Sequence, residues 1–171
     1  MSSFDLRPVT LDDVDALFAV YSDAGTWRHL PEGRFTERDQ MTSLVLRWLE
    51  QWDRHGLSMW AVEVDGGVVG NCGVMPRDGW WNLGFRLSPA VWGGGVATAA
   101  ARRAIEAGQS HSPERTVVAR SLASNPASGR VSEKAGLRRV WQGHAVHERD
   151  LVVHADRELP AALLAELRAL G

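Results

Sequence analysis

The stretch "VWGGGVAT", residues 91–98, places three consecutive glycines between a Pro-containing segment and an alanine-rich run. Glycine has no Cβ, so a loop of this composition lets backbone N–H groups converge on a ligand at close range. A helix is predicted to follow over residues 96–107, with Gly108 as its C-cap. Its first turn presents unpaired N–H groups and the positive end of the helix dipole to the same place. The stretch therefore predicts a phosphate or pyrophosphate site that is held by backbone.

The segments on either side alternate between strand and helix patterns. Helix N-caps are predicted at Thr10, Thr36 and Asn125, and helix ends near Gly56 and Gly136. The turn "DGG" after "SMWAVEV" predicts a tight hairpin, because Asp-Gly supplies the positive φ that such turns require. Two strands, "LRRVWQG" and "RDLVVHA", and a terminal helix, "LPAALLAELRAL", close the chain. This order predicts a mixed α/β fold with one layer of sheet, as a single domain over residues 1–171.

Composition narrows the class of protein. The chain has 171 residues, 44% hydrophobic and 23% charged, as expected of one globular domain. Its formal charge of -2 argues against nucleic acid or an anionic membrane as a partner. A single cysteine, Cys72, excludes an internal disulfide framework and is predicted to be a small buried residue. The start "MSSFDLRPVT" has no secretory pattern, and no window reaches the length of a membrane span, so a cytoplasmic location is expected.

Two families of phosphate loop fit the glycines poorly. A P-loop requires lysine and then Ser or Thr after its last glycine, whereas Val96 and Ala97 stand there. A dinucleotide-binding loop follows the first strand and has an acidic residue about 20 positions later. Here the glycines follow the fourth predicted strand, and Ala119 and Arg120 stand at that distance.

The third family is the GCN5-related N-acetyltransferases (GNAT), whose coenzyme A loop has Gln or Arg, two variable residues, Gly, one variable residue, and Gly or Ala. The stretch matches this motif at the glycine and at the final alanine, and has Trp92 at the first position. A tryptophan there resembles the RimJ/RimL-like branch of the superfamily. The downstream segment "NPASGRVSEKAGLRRV" also resembles that branch, at Asn125, Ser128, Val131, Glu133, Lys134, Gly136 and Leu137. The resemblance covers roughly residues 4–158.

This resemblance implies a single mixed, mostly antiparallel sheet flanked by helices, and a site for acetyl-CoA. The residues that it implies for the pyrophosphate are Trp92, Gly93, Gly94, Gly95, Val96, Ala97 and Thr98. Strand backbone at Phe85 and Leu87 is expected to pair with the pantetheine arm. Asn125 is expected to cap its helix. Whether its side chain also binds the pantetheine, as the resemblance implies, stays open. Ser128, with Ser132 as second candidate, is expected to assist the departing thiolate.

The sequence defines the general base and the residues that bind the acceptor amine less closely than the coenzyme site. Asn82 stands where members of the branch often carry a glutamate, and an amide cannot act as a base. The remaining candidates are Glu32, Glu63, His29 and Asp150. Trp27 and His29, in the loop between the first two helices, and Trp81 are predicted to contact the acceptor. His144 and His147 face opposite ways at strand spacing, so no metal site is predicted for them with His154.

The sequence thus predicts an acetyl-CoA-dependent N-acetyltransferase. It would transfer acetyl to a primary amine, either a protein N-terminus or a small molecule, by direct attack in a ternary complex and without a metal. A non-catalytic acyl-CoA-binding module and an acyltransferase for another acyl group stay open. The terminal helix has an apolar face that packs either on its own core or on a second subunit as a homodimer: Leu159, Leu163, Leu164, Leu167 and Leu170.

Overall fold

The protein is represented by a computed structural model that describes residues 3–144 and 149–169. Within these residues seven strands form one sheet in the order β1-β2-β3-β4-β5-β7-β6. The strands are β1 (Phe4–Pro8), β2 (Met59–Val64), β3 (Gly67–Pro76), β4 (Trp80–Leu87), β5 (Thr116–Leu122), β6 (Arg138–His144) and β7 (Asp150–Ala155). The helices are α1 (Val14–Tyr21), α2 (Arg38–His55), α3 (Val96–His111), α4 (Pro126–Ala135) and α5 (Ala161–Ala169). None of the helices in the described ranges combines the length and hydropathy that crossing a bilayer requires.

Every neighbouring pair of strands is antiparallel except β4 and β5, which run parallel. The mixed, mostly antiparallel sheet expected from the resemblance is therefore confirmed. A parallel pair needs a long crossover, and α3 supplies it between β4 and β5.

Local signals in the sequence account for most element ends. Gly56 ends α2 in the left-handed conformation (φ 65°), as its position predicted. Asp65 and Gly66 both have positive φ and close the β2–β3 hairpin. Asn125 caps α4, and Gly136 ends it at φ 114°. These predictions are confirmed because each depends on neighbours within a few residues.

Two predicted helix boundaries are wrong. Gly108 is not a C-cap but a buried residue inside α3, which continues to His111. A Cβ at Gly108 would lie in ordinary van der Waals contact with Val117, at 3.4 Å, so Gly108 stands where α3 packs on the sheet. The N-cap of α2 is Glu37 rather than Thr36, since the side chain of Gln40 accepts hydrogen bonds from both backbone N–H groups.

Side chains pack into hydrophobic clusters on both faces of the sheet. On one face α3 and the last turn of α4 cover the cluster that includes Cys72 and Trp81. On the other face α1 and α2 cover a second cluster that includes Trp27. Leu167 of α5 is fully buried against Trp80, so the terminal helix packs on its own core. Leu170 lies outside the described residues.

Candidate active site

The two parallel strands separate halfway along their length. β4 pairs with β5 only at residues 80–82, opposite residues 116–118. Beyond that point β4 remains paired with β3, and β5 with β7. Residues 83–87 of β4 and residues 119–122 of β5 therefore do not pair with each other. We call this opening the strand gap, and Asn82 stands at its closed end.

The glycine stretch lies directly after β4 and forms the start of α3. Gly93 and Gly95 have φ of 81° and 82°, a conformation that favours glycine. A Cβ at Gly93 would meet no atom within 4 Å, so the space beside this residue is open. Gly95 is the N-cap, and the first helical backbone bond is donated by Ala99 to the Gly95 carbonyl at 3.0 Å. The N–H groups of residues 96–98 therefore remain available to an anion.

Trp92 connects this loop to the strand gap. Its indole Nε1 donates a hydrogen bond of 2.9 Å to the carbonyl of Leu87, the last residue of β4. The rest of the ring is half exposed, at 50%. The tryptophan thus fixes the glycine loop relative to the unpaired edge of β4.

The start of α4 lies at the same edge of the sheet. β4 and β5 are parallel, and each is followed by a helix, so the N-termini of α3 and α4 both stand where the strand gap opens. Asn125 accepts a hydrogen bond from the Ser128 N–H at 3.3 Å, which is the predicted N-cap. Among the described residues no acceptor is found for its Nδ2, so these donors are available to a ligand.

Two serines lie on the first turns of α4. Ser128 is half-buried. Ser132 is buried, with 1% of its surface exposed, and its hydroxyl donates to the Ser128 carbonyl at 3.1 Å. The Ser132 hydroxyl is therefore buried and already hydrogen-bonded within α4, so Ser128 is the better placed of the two predicted acids.

A polar cleft of about 280 Å³ lies where the α1–α2 loop (residues 22–37) meets the ends of β5 and β7. Its lining residues are His29, Leu30, Glu32, Leu122, Ala123, Ser124, Arg149 and Asp150. Three of the four predicted base candidates therefore meet in one cleft. The fourth, Glu63, lies on β2 and pairs with Arg7 at 2.9 Å.

The three groups differ in charge state. Glu32 forms an ion pair with Arg149 at 2.9 Å, and Asp150 contacts His144 at 3.0 Å. Burial lowers the pKa of His29, and the positive charge of Arg86 lowers it further. A histidine with a lowered pKa is a neutral imidazole at neutral pH, able to accept a proton.

Comparison with known proteins decides the family. The acetyltransferase (GNAT) domain family matches residues 4–138, well over half of the chain. The chain belongs to the GNAT acetyltransferase family. No curated protein matches the sequence.

Solved structures share the fold of this GNAT domain. RimL, the ribosomal L7/L12 alpha-N-protein acetyltransferase, in complex with coenzyme A, is 16% identical with a TM-score of 0.77, over 93% of this chain and 96% of that one. A Salmonella typhimurium acetyltransferase with its cofactor acetyl-CoA is 20% identical with a TM-score of 0.72, over 94% and 98%. The spermidine N-acetyltransferase of Vibrio cholerae, in complex with coenzyme A and spermine, is 15% identical with a TM-score of 0.69, over 89% and 94%.

The predicted acceptor residues of the GNAT domain separate in the structure. His29 lines the polar cleft, and Trp27 stacks beside it with ring centroids 6.5 Å apart. Trp27 is itself buried, and its Nε1 donates to the Tyr21 carbonyl at 2.6 Å. Trp81 is 1% exposed in the core beneath α3, where its ring meets His111. The prediction that Trp81 contacts the acceptor is wrong, because that ring points to the opposite face from the polar cleft.

The predicted coenzyme residues lie together. Phe85 and Leu87 belong to the unpaired half of β4, and Gly93, Gly94 and Gly95 follow at its end. Val96 is buried, so only its backbone faces a ligand, whereas Ala97 and Thr98 are half-buried. Their contacts with coenzyme A stay predictions.

Sequence reasoning missed two charged residues of the site. Arg86, on β4, stacks on Trp27 beneath the α1–α2 loop, and Arg149 reaches Glu32 across the polar cleft. Strand alternation was the signal for Arg86, because it lies on the same side of β4 as Gly84, and that side otherwise faces inward. Arg149 had no such signal, because its partner lies 117 positions away.

Within the part of the chain that the structure describes, the side chains offer no arrangement for a metal ion. Over residues 3–144 and 149–169, no group of three or more His, Cys, Asp or Glu side chains is placed to hold a metal ion. His147, one of the three histidines considered from the sequence, lies outside the described residues.

Proposed function

We propose that this protein transfers the acetyl group of acetyl-CoA to a primary amine by direct attack in a ternary complex. The observation that carries the proposal is the strand gap, which opens between two helix N-termini and lies next to a polar cleft containing a neutral histidine. The proposal draws further support from fold relatives that hold coenzyme A, acetyl-CoA or spermine.

The coenzyme fits the groups present on the α3 side. An extended pantetheine arm carries amide groups, which can pair with the free backbone edge of residues 83–87 as a strand would. A pyrophosphate is complementary to the free N–H groups at the start of α3, where the dipole favours negative charge. Because Gly93 has no Cβ and the space beside it is open, the anion can approach its backbone closely.

The acceptor amine enters from the polar cleft. Glu32 and Asp150 give the cleft two carboxylates against the single arginine Arg149, which favours a cationic amine over an anionic acceptor. An ammonium is not nucleophilic, so it must lose a proton before it attacks. We propose that His29 accepts this proton, directly or through a water molecule.

The bond changes then balance as follows. The amine nitrogen forms a bond to the acetyl carbon, and the carbon–sulfur bond of the thioester breaks. The ammonium proton has passed to His29 before the attack. The second proton, which the nitrogen loses as the amide forms, passes through the hydroxyl of Ser128 to the departing thiolate, which leaves as the thiol of coenzyme A. Backbone N–H groups at the unpaired edge of β4 would stabilise the oxyanion, and the site would supply rate mainly by orienting the two substrates.

Two measurements test the proposal. Isothermal titration of the purified protein with acetyl-CoA and with free coenzyme A measures binding, and a thiol-release assay with a panel of peptide N-termini, polyamines and small amines measures transfer. We expect binding of both coenzymes and amine-dependent thiol release. Failure to bind either coenzyme would refute the proposal, and binding without transfer to any amine would leave the non-catalytic module.

The role of His29 and the acyl group are tested with the same assay. His29→Gln keeps a polar side chain of similar size but cannot accept a proton at neutral pH, so kcat should fall by roughly 10²–10⁴-fold. Glu32→Gln is the matched control in the same cleft and should change KM for the amine more than kcat. Propionyl-CoA and succinyl-CoA, compared with acetyl-CoA, show whether another acyl group is preferred.

A further inference from the structure

Arg86 is a cation in an unusual environment. It is half-buried on β4, its guanidinium carbon lies 3.4 Å from the centroid of the Trp27 ring, and Tyr21 lies 5.1 Å away. Its Nη1 donates to the backbone carbonyl of Thr26. Among the described residues no carboxylate lies within 4.0 Å of its nitrogens. Placing a charge in a partly buried site without a counter-ion is unfavourable, so the Arg86 charge is expected to serve a function.

A stack of aromatic rings connects this cation to the candidate base. Trp27 stacks on the imidazole of His29 with an interplanar angle of 18°. The guanidinium of Arg86 and the imidazole of His29 both therefore lie beside the Trp27 ring. Through the Thr26 carbonyl, Arg86 also holds the loop segment that carries both rings.

We propose that Arg86 is a positioning residue that keeps His29 in its neutral, proton-accepting form, through a guanidinium stacked beneath the Trp27 ring. This inference rests on the proposed function of His29 as the base. The positive charge disfavours protonation of the imidazole, while the stack and the bond to Thr26 fix the direction in which the ring faces the polar cleft.

The other charges that face His29 act less strongly. The polar cleft contains Glu32, Arg149 and Asp150 besides the imidazole. The negative charge of Glu32 is partly offset by Arg149 at 2.9 Å, and the carboxylate of Asp150 lies 3.0 Å from the His144 ring nitrogen. Burial lowers the pKa of His29, and Arg86 is the nearby charge that lowers it further.

The direction of the effect follows from the sign of the charge. A positive charge near an imidazole disfavours its protonated form. Removal of the Arg86 charge should therefore raise the pKa of His29. The acid limb of the kcat/KM profile should move upward with it.

The test titrates the His29 imidazole by NMR in the full chain without any substrate, with His29→Gln used to assign the signal. Arg86→Gln keeps a donor for the Thr26 carbonyl but removes the charge, and Arg86→Lys keeps the charge. Arg103→Gln, on the α3 face of the sheet, removes an equal charge far from the cleft. We expect the pKa of His29 to rise only in Arg86→Gln.

The outcomes separate the inference from the proposed function. An unchanged His29 pKa in Arg86→Gln, or an equal rise in Arg86→Lys, overturns the electrostatic role. If Arg86→Gln does not fold, the wild type still decides, because a His29 pKa at or above the ordinary value near 6.5 also overturns it. Failure of the acetyl-transfer assay with a shifted His29 pKa would refute the proposed function alone.

Discussion

Replacing Gly95 by alanine tests the glycine loop most directly. Gly95 is the N-cap of α3 at φ 82°, where a side chain is strained whatever space surrounds it. A non-glycine residue in the left-handed region is disfavoured by about 1–2 kcal/mol, and the loss of unfolded-state entropy offsets about 0.4–1 kcal/mol of that. The free energy of unfolding should therefore fall by about 1 kcal/mol.

The same substitution should weaken coenzyme binding. A chain that leaves the left-handed conformation to relieve strain turns the N–H groups at the start of α3 away from the pyrophosphate. Each hydrogen bond to a charged group contributes about 1.5–3 kcal/mol, so loss of one bond raises Kd at least about tenfold. Isothermal titration with coenzyme A measures Kd, and thermal unfolding should show a melting temperature about 3 °C lower.

Two other glycines provide matched controls. Gly66, at the tip of the β2–β3 hairpin, has a φ of 78° and open space around a Cβ. Gly66→Ala should lower stability by the same amount as Gly95→Ala and leave Kd unchanged. Gly94 does not have positive φ, and its Cβ would lie 3.6 Å from the Val91 carbonyl, so Gly94→Ala should change stability by less than about 0.5 kcal/mol. Wild-type affinity in Gly95→Ala, or equal weakening in Gly66→Ala, would refute the reasoning.

Four further substitutions probe other parts of the molecule. Ser128→Ala should lower kcat by roughly tenfold or more, with little change in the free energy of unfolding. Ser132→Ala should lower the free energy of unfolding by about 1 kcal/mol and keep kcat. The reverse pattern would exchange the roles of the two serines. Trp92→Phe removes the indole hydrogen bond to the end of β4, so stability should fall by about 1 kcal/mol and Kd for coenzyme A should rise several-fold, as titration would show. Burial opposes ionisation of Asp13, but the hydrogen bond from Arg7 holds its pKa below the ordinary 3.8. Its stabilising contribution is therefore present above pH 3.8 and lost as pH falls through the folded value. Asp13→Asn should lose about 2 kcal/mol at pH 7 in denaturant titrations and progressively less as the pH falls below 3.8.

The parts of the fold that the sequence predicted correctly are local. The Asp65–Gly66 turn, the capping of α4 by Asn125 and the left-handed ends at Gly56 and Gly136 each involve residues within one turn of each other. The wrong end at Gly108 shows the limit of that logic, since Gly108 lies inside α3 against Val117 and not at a turn. A glycine considered by itself does not distinguish a helix end from a helix interior.

For the candidate site, the sequence identified the groups but not their arrangement. His29, Glu32 and Asp150 were three of four equivalent base candidates, and the structure places these three in one cleft while Glu63 lies with Arg7. Trp81 was assigned to the wrong face, because adjacent tryptophans on a strand point in opposite directions and alternation alone does not say which face carries the cleft.

The sequence by itself determined the glycine stretch, the caps and turns, and the family, because these depend on short-range backbone geometry and on motifs of adjacent residues. The tertiary structure alone decided where β4 and β5 separate, that Arg86 stacks beneath Trp27, and that Glu32 meets Arg149 from 117 positions away. Such contacts are set by the packing of the whole chain, in which strand register and burial place distant residues together, and no local pattern encodes them.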